Sequence, residues 1–374
     1  MMKKKLVSVC SSIVFLLVWT CVLYSAETPM RKTFSHGLSV DKDHIYLNNS
    51  RFLVKGISYS PYYPGERNHD NMKKADFRKD LTGIAQAHAN TIILYWIRPE
   101  KVYLSCRELN LKIIQGITLD ETEDFQNPRF KKRIMVRIKY LVDFIHKNGF
   151  SDLILAYFIG GEIDPLNIKA SNFKYKTMQN YKGKHYSGKR KLNSAENFLL
   201  EMADYLRDYE ESTYGKSHIV SHINWPYGED VLNIDFMDIA LFDVYSYWPP
   251  RVANFPTPGS VTGTVYQGYI ENLKARYTNT PVVISEFGYS TAPEDDLASV
   301  SEETQACELV NRWVDILTAR HVLAGASVFE WNDEWWKQGK GAEMVSREQD
   351  PMSHDKDDYE EWFGIISIDG SSSR

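Results

Sequence analysis

Two glutamates carry the chemistry that this sequence can offer. Glu286 closes the run PVVISE, residues 281–286, and Glu162 closes DLILAYFIGGE, residues 152–162. Each follows an apolar stretch short enough to be a strand buried on both faces. A carboxylate at the end of such a strand is not core filling, because burying it without a partner is costly. Two carboxyl groups delivered from the carboxyl ends of parallel strands can divide labour. One attacks an electrophilic carbon, and the other gives and later takes a proton. The plain alternative for each is a salt-bridged residue at a strand end.

Such a pair needs a scaffold that brings distant strands to one rim. Strand-like runs occur at Phe52–Ser58, 89–96, 111–120, 152–162, 217–227, 237–250, 281–290 and 323–337. Between them lie runs with helical spacing, at 75–89, 99–110, 127–148, 194–213, 264–277 and 301–321. The long one at 127–148 places Ile134, Ile138, Leu141, Val142 and Ile145 on one face and Lys and Arg on the other. This alternation predicts an α/β fold, a single (β/α)8 TIM barrel over 45–374. An N-terminal hairpin is expected about Asn48-Asn49, with a C-terminal tail packed on the barrel. An open doubly wound sheet is the rival, but no glycine-rich phosphate turn follows the first strand.

Residues 1–26 read as an export signal or signal anchor: Lys3, Lys4 and Lys5 precede an apolar segment from Leu6 to Tyr24, then Ser25-Ala26. Residues 27–44 read as a polar lead-in. An exported protein, periplasmic, extracellular or attached to the cell envelope, is therefore expected. Membrane contact would come only through a retained signal or a lipid on Cys21. Beyond the signal only Cys106 and Cys307 remain, assigned to the second and seventh barrel helices, where they are not expected to pair. No zinc pattern and no calcium-loop spacing is present, so neither metal nor cofactor is expected.

Across 374 residues the net charge is −5 and aromatics reach 13%. The charge excludes a general nucleic-acid field, and the surplus rings are the platforms on which flat ligands such as sugar rings lie. A loop from about Leu166 to Leu192 holds many lysines and no acid after Asp164. It is either a solvated face, a partner for the acidic tail Glu343–Glu361, or an overhang that draws an acidic or phosphorylated glycan to the mouth.

The run RFLVKGISYSPYYPG, Glu162 on the fourth strand, SEFG on the seventh and FEWNDEWW on the eighth together resemble the catalytic barrels of clan A glycoside hydrolases. The resemblance spans residues 45 to 370 and is strongest to the family-two-type barrel and the β-1,3-glucanosyltransferases. It implies a retaining β-glycoside hydrolase or transglycosylase acting on an oligo- or polysaccharide, with Glu286 as nucleophile and Glu162 as acid/base. It further implies that Tyr245 orients the nucleophile and that Trp331 floors the sugar site. Tyr62, Trp96, Asn224, Trp225, Tyr247, Trp248 and Trp335 fall at or beyond strand ends and are expected to line an aromatic cleft. Two positions depart from the pattern. Gly161 stands where the clan has the Asn that bonds the sugar 2-hydroxyl, and Ile93 stands where it has an Arg beside the nucleophile. They support a second reading, a glycan-binding barrel of an exopolysaccharide or cell-envelope system without turnover. A structural role in assembling such a system is a third.

Overall fold

The computed structural model describes residues 31–62, 75–120, 122–256, 260–293, 299–319, 323–334, 337, 356 and 358–366. Eight parallel strands close into a barrel. They are β5 (Val54–Ser58), β6 (Thr91–Leu94), β7 (Lys112–Ile117), β8 (Ile154–Gly161), β9 (Ile219–Asn224), β10 (Ala240–Asp243), β11 (Val282–Phe287) and β12 (Gly325–Val328). β12 pairs with β5 over Gly325↔Val54 to Val328↔Ile57, which seals the cylinder. Outside it run α1 (Phe77–Gln86), α2 (Glu100–Glu108), α3 (Pro128–Lys147), α4 (Pro165–Lys174), α5 (Ser194–Tyr214), α6 (Pro250–Ala253), α7 (Val265–Arg276) and α8 (Glu302–Thr318). The helices cover the outward strand faces, so alternate strand residues face two different cores.

That alternation is visible in β6. Ile92 and Leu94 pack into the shell under the helices, whereas Ile93 belongs to the inner core, with Tyr95 packed against it one layer higher. Four shorter strands complete the fold: β1 (Lys32–Thr33), β2 (Leu38–Val40), β3 (Ile45–Leu47) and β4 (Ser50–Phe52), paired antiparallel in that order. Asn48 and Asn49 turn β3 into β4 with φ of 51° and 65°, the left-handed pair that a two-residue hairpin requires. Phe34, Leu38, Val40 and Ile45 cluster with Val54, Ile219, Ile239, Val283 and Ala324, which lie at the amino ends of the barrel strands. The small sheet is thus the plug of the barrel's lower end. Strands β1 and β2 fall inside the stretch read as a polar lead-in.

One local reading is corrected. The loop expected from Leu166 contains α4, whose N-cap Asp164 accepts the Leu166 N–H at 2.7 Å. Only Ile168 and Ser171 of α4 are buried, so the sequence carries no apolar stripe to announce it. Helix α5 is capped by Asn193. Asn193 and Glu196 form a reciprocal capping box. The tail lies on the barrel as expected: the Ile365 and Ile366 N–H groups donate to the carbonyls of Glu330 and Trp331. Cys106 is buried and Cys307 exposed, both free.

Candidate active site

Glu286 ends β11 at the carboxyl rim and is 8% exposed. A register shift between Ile284 and Phe287 turns its side chain inward. Both carboxylate oxygens are held. The Tyr95 hydroxyl donates to Oε1, and the Tyr245 hydroxyl donates to Oε2 at 2.7 Å. Tyr95 is steadied from below by Ser58 Oγ at 3.2 Å. Burial lifts the Glu286 carboxyl to about 7, while the two phenol hydrogen bonds and the Lys337 ammonium pull the other way.

Glu162 follows β8 at the same rim and is exposed. Its φ of 48° is left-handed, a conformation disfavoured for a side chain of this size, and such positions gather at functional sites. Gly160 before it has φ of 65°, and a Cβ there would lie 2.4 Å from Leu119 Cδ1. Gly161 differs: a Cβ there meets only Ile223, at 3.4 Å. Between the two glutamates stands Asp243, at the end of β10 and register partner of Glu286. Burial holds Asp243 well above the usual carboxylate range, with the charges of Glu286 and then Glu162 pushing the same way. Both glutamates therefore act on one buried neighbour.

Tyr245 stands where expected. Its ring meets Phe329 edge-on at 6.5 Å and Phe363 at 5.6 Å. Phe329, absent from the sequence-based candidates, is the eighth-strand aromatic of this site. Lys337 Nζ lies 4.9 Å from its ring centroid and pairs with Glu334 at 2.6 Å and Glu360 at 3.0 Å. Trp331 is a correction. It is 6% exposed and belongs to the outer core, and a Cβ on Gly83 of α1 would lie 2.6 Å from its Cζ2. Both residues lie beyond the end of β12 at Val328, so strand alternation no longer governs them: Phe329 meets Tyr245 at the site, whereas Trp331 turns over the rim against α1.

Tyr95 occupies the bracing position that the sequence left vacant at Ile93. Strand residues two apart share a face, which is the signal that could have found it. Arg98 does not brace Glu286. It is buried, donates to the Tyr62 hydroxyl at 2.5 Å, and burial pulls it down to about 10. Tyr62 is thereby a buried partner of Arg98 and not a cleft platform; Trp96 packs beside the same guanidinium at 5.5 Å. Asn224 is also structural: buried, it donates to the Leu232 carbonyl at 2.9 Å and accepts the Trp225 N–H. Trp225, Tyr247 and Trp248 remain at the rim, and Trp335 lies outside the described residues. Glu330 is fully buried with neither oxygen hydrogen-bonded among the described residues, and burial holds it well above the usual range. Asp333 accepts the Gly364 N–H at 3.0 Å and so anchors the tail.

The basic loop is tied to acids that lie outside it. Asp204 of α5 accepts the backbone N–H groups of Lys184, His185 and Tyr186, which fastens the loop to that helix. Lys174 pairs with Asp124, Lys184 with Asp208, and Arg190 with Glu196. Among the described residues one group has the composition of a metal site: His146, Glu210 and His218, with ligand atoms within 4.8 Å of one another. They lie toward the opposite end of the barrel and bond each other, His146 Nε2 and His218 Nδ1 meeting Glu210 Oε1 at 2.9 and 2.6 Å.

No protein-family model and no curated protein matches the sequence. Solved structures do. The β-glucuronidase of Ruminococcus gnavus in complex with D-glucuronic acid aligns with a TM-score of 0.60 at 14% identity, covering 91% of this chain and 50% of that one. Bacteroides uniformis β-glucuronidase 2, covalently bound to cyclophellitol-6-carboxylate aziridine, aligns with a TM-score of 0.58 at 15% identity, covering 91% and 36%. The chain therefore spans half or less of the length of these enzymes. Its fold is that of the glycoside hydrolase (β/α)8 barrels. At this identity the likeness is one of fold.

Proposed function

We propose that the chain is a retaining β-glycoside hydrolase or transglycosylase acting on an oligo- or polysaccharide outside the cytoplasm. The observation that carries this reading is Glu286, buried at the end of the seventh barrel strand with a tyrosine hydroxyl on each oxygen, and Glu162 on the same rim. Two donated hydrogen bonds aim the carboxylate and favour its charged form, as a nucleophile needs. In the first half-reaction a Glu286 oxygen bonds the anomeric carbon, the glycosidic C–O bond breaks, and the leaving oxygen takes the proton of Glu162. In the second, water or a sugar hydroxyl gives its proton to Glu162 and bonds the anomeric carbon as the ester to Glu286 breaks.

The test is a panel of 2-fluoro glycosides, neutral and uronic, followed by mass spectrometry of the peptide bearing Glu286. An adduct there, lost in Glu286→Gln, supports the enzyme. Gly161 favours a second reading, a glycan-binding barrel without turnover, because no side chain at that position meets the sugar 2-hydroxyl. Glycan binding without any adduct across the panel is the outcome that selects it. Export rests on residues 1–26, which lie outside the described residues; the size of the secreted chain, with and without that segment, tests it.

A further inference from the structure

The rim carries two aromatic groups that differ in exposure. Around Glu286, the rings of Phe329 and Phe363 are nearly sealed, at 4% and 3%. Beyond β9 and β10, Tyr227 is 41% exposed and Trp248 43% exposed. Their rings meet edge-on at 4.8 Å, and Trp225 closes the group at 5.0 Å from Tyr227 and 6.3 Å from Trp248. Large rings left open to water at a rim mark a binding surface when they are held in place from behind.

These are so held. Arg251, three residues after Trp248, donates to the Pro226 carbonyl at 3.1 Å and to Glu229 at 2.7 Å, tying the two rim segments together. Asn224 accepts the Trp225 N–H, and a Cβ on Gly228 would lie 2.5 Å from Asn224 Oδ1, so the turn is closed tightly. The group also has a side. The Trp225 indole N–H donates to the carbonyl of Ile163 at 3.2 Å, and Ile163 directly follows Glu162.

From this we infer that Tyr227 and Trp248 form the subsite for the leaving-group side of the bond, taking a sugar ring on their exposed faces. The inference rests on the roles proposed for Glu162 and Glu286. A general acid serves the leaving oxygen, so the residue that follows leaves from the flank of Glu162. A sugar seated there after the first half-reaction is placed to accept. Its hydroxyl oxygen bonds the anomeric carbon, the ester bond to Glu286 breaks, and the hydroxyl proton passes to Glu162. The aromatic pair thereby sets how the glycosyl intermediate is divided between water and sugar.

The experiment uses the full chain and the aryl β-glycoside whose fluorinated form labels Glu286, with cellobiose, laminaribiose and chitobiose as acceptors. Trp248→Ala and Tyr227→Ala should each lower the ratio of transfer to hydrolysis, together by about tenfold, and raise the acceptor concentration for half-maximal transfer. Trp248→Phe should keep most of the transfer, and every variant should still form the Glu286 adduct. An unchanged ratio in the alanine variants with labelling intact overturns the subsite and leaves the proposed reaction standing. Loss of the adduct in those variants overturns it too, by placing the rings on the donor side. A wild-type chain that never labels ends the proposed reaction and the subsite with it.

Discussion

Asp243 and Glu286 stand side by side as register partners at the ends of β10 and β11, and both are buried. Among the described residues no hydrogen bond reaches Asp243 Oδ1. Two carboxyl groups so placed do not both ionise readily, and their protons belong to the pair. In Asp243→Asn the negative charge settles on Glu286 alone. The acid limb of kcat/KM should then move down by about one pH unit, with the fluorosugar adduct retained. A limb that stays in place shows that Asp243 does not share the proton.

Glu286 itself is lifted from 4.5 to about 7. As the nucleophile it must be ionised, so activity should rise with pH through about 7 on the acid side. The stability consequence has the opposite direction. A carboxyl whose folded value is raised binds its proton more tightly in the native state. Its contribution is complete below about 4.5 and is lost as pH rises through about 7. Glu286→Gln should therefore be more stable than the wild type at pH 8, by about 2–3 kcal/mol, with the gap closing toward pH 4. Urea unfolding at both pH values measures it, and equal stabilities at pH 8 contradict the shift.

Tyr95→Phe and Tyr245→Phe each remove one donor from the Glu286 carboxylate. A hydrogen bond to a charged group contributes roughly 1.5–3 kcal/mol, so each variant should lose about 10–100-fold in kcat. Each should also push the acid limb upward, because the charged form loses support. That shift distinguishes loss of the hydrogen bond from simple loosening of the rim, which lowers kcat without moving the limb.

The barrel was legible in the sequence because its signals are local. Apolar runs of strand length alternate with stripes of helical spacing, and α3 runs from Pro128 to Lys147 inside the expected 127–148. The two glutamates were legible for the same reason, as charges at the ends of apolar runs, and Tyr245 followed from the resemblance. Side-chain direction at the rim was not. After β12 the face seen by Phe329 and that seen by Trp331 depend on how the strand leaves the barrel, and the larger ring drew the wrong assignment. Tyr62 and Arg98 meet through a contact between segments that follow different strands, which no spacing reveals. The partners of the basic loop were not legible because its acids, Asp124, Asp208, Glu196 and Asp235, lie outside it in the chain.

Glu210 is the ionic centre of the His146–Glu210–His218 cluster. Its Oε2 accepts the His218 backbone N–H at 3.0 Å, and His218 Nε2 donates to the Ser151 carbonyl at 2.9 Å. The interactions with His218 and His146 overcome the burial penalty and hold Glu210 down at about 2, from 4.5. For a depressed carboxyl the stabilisation is present above about 4.5 and is lost as pH falls through about 2. Glu210→Gln should cost roughly 3–5 kcal/mol at pH 7, since it leaves buried partners uncompensated, and the deficit should shrink near pH 2. Denaturant titrations across that range measure it. A deficit independent of pH would assign the loss to packing.

Trp331 separates the sugar-floor expectation from the packing that the structure shows. Its ring fills the space over Gly83, where a Cβ would lie 2.6 Å from Cζ2. Trp331→Ala should cost about 3–5 kcal/mol through the cavity it leaves. Gly83→Ala removes nothing from the mouth yet should destabilise by about 1–3 kcal/mol, because overpacking outweighs the gain of alanine over glycine in a helix. The pair should be partly compensating: with the indole gone, the added methyl meets space instead of ring carbon. The double variant should therefore be more stable than the sum of the single effects, as residues in direct contact require. Strict additivity would place the ring elsewhere. Glycan affinity of the folded Trp331→Ala chain should match the wild type, whereas a sugar platform would lose about tenfold.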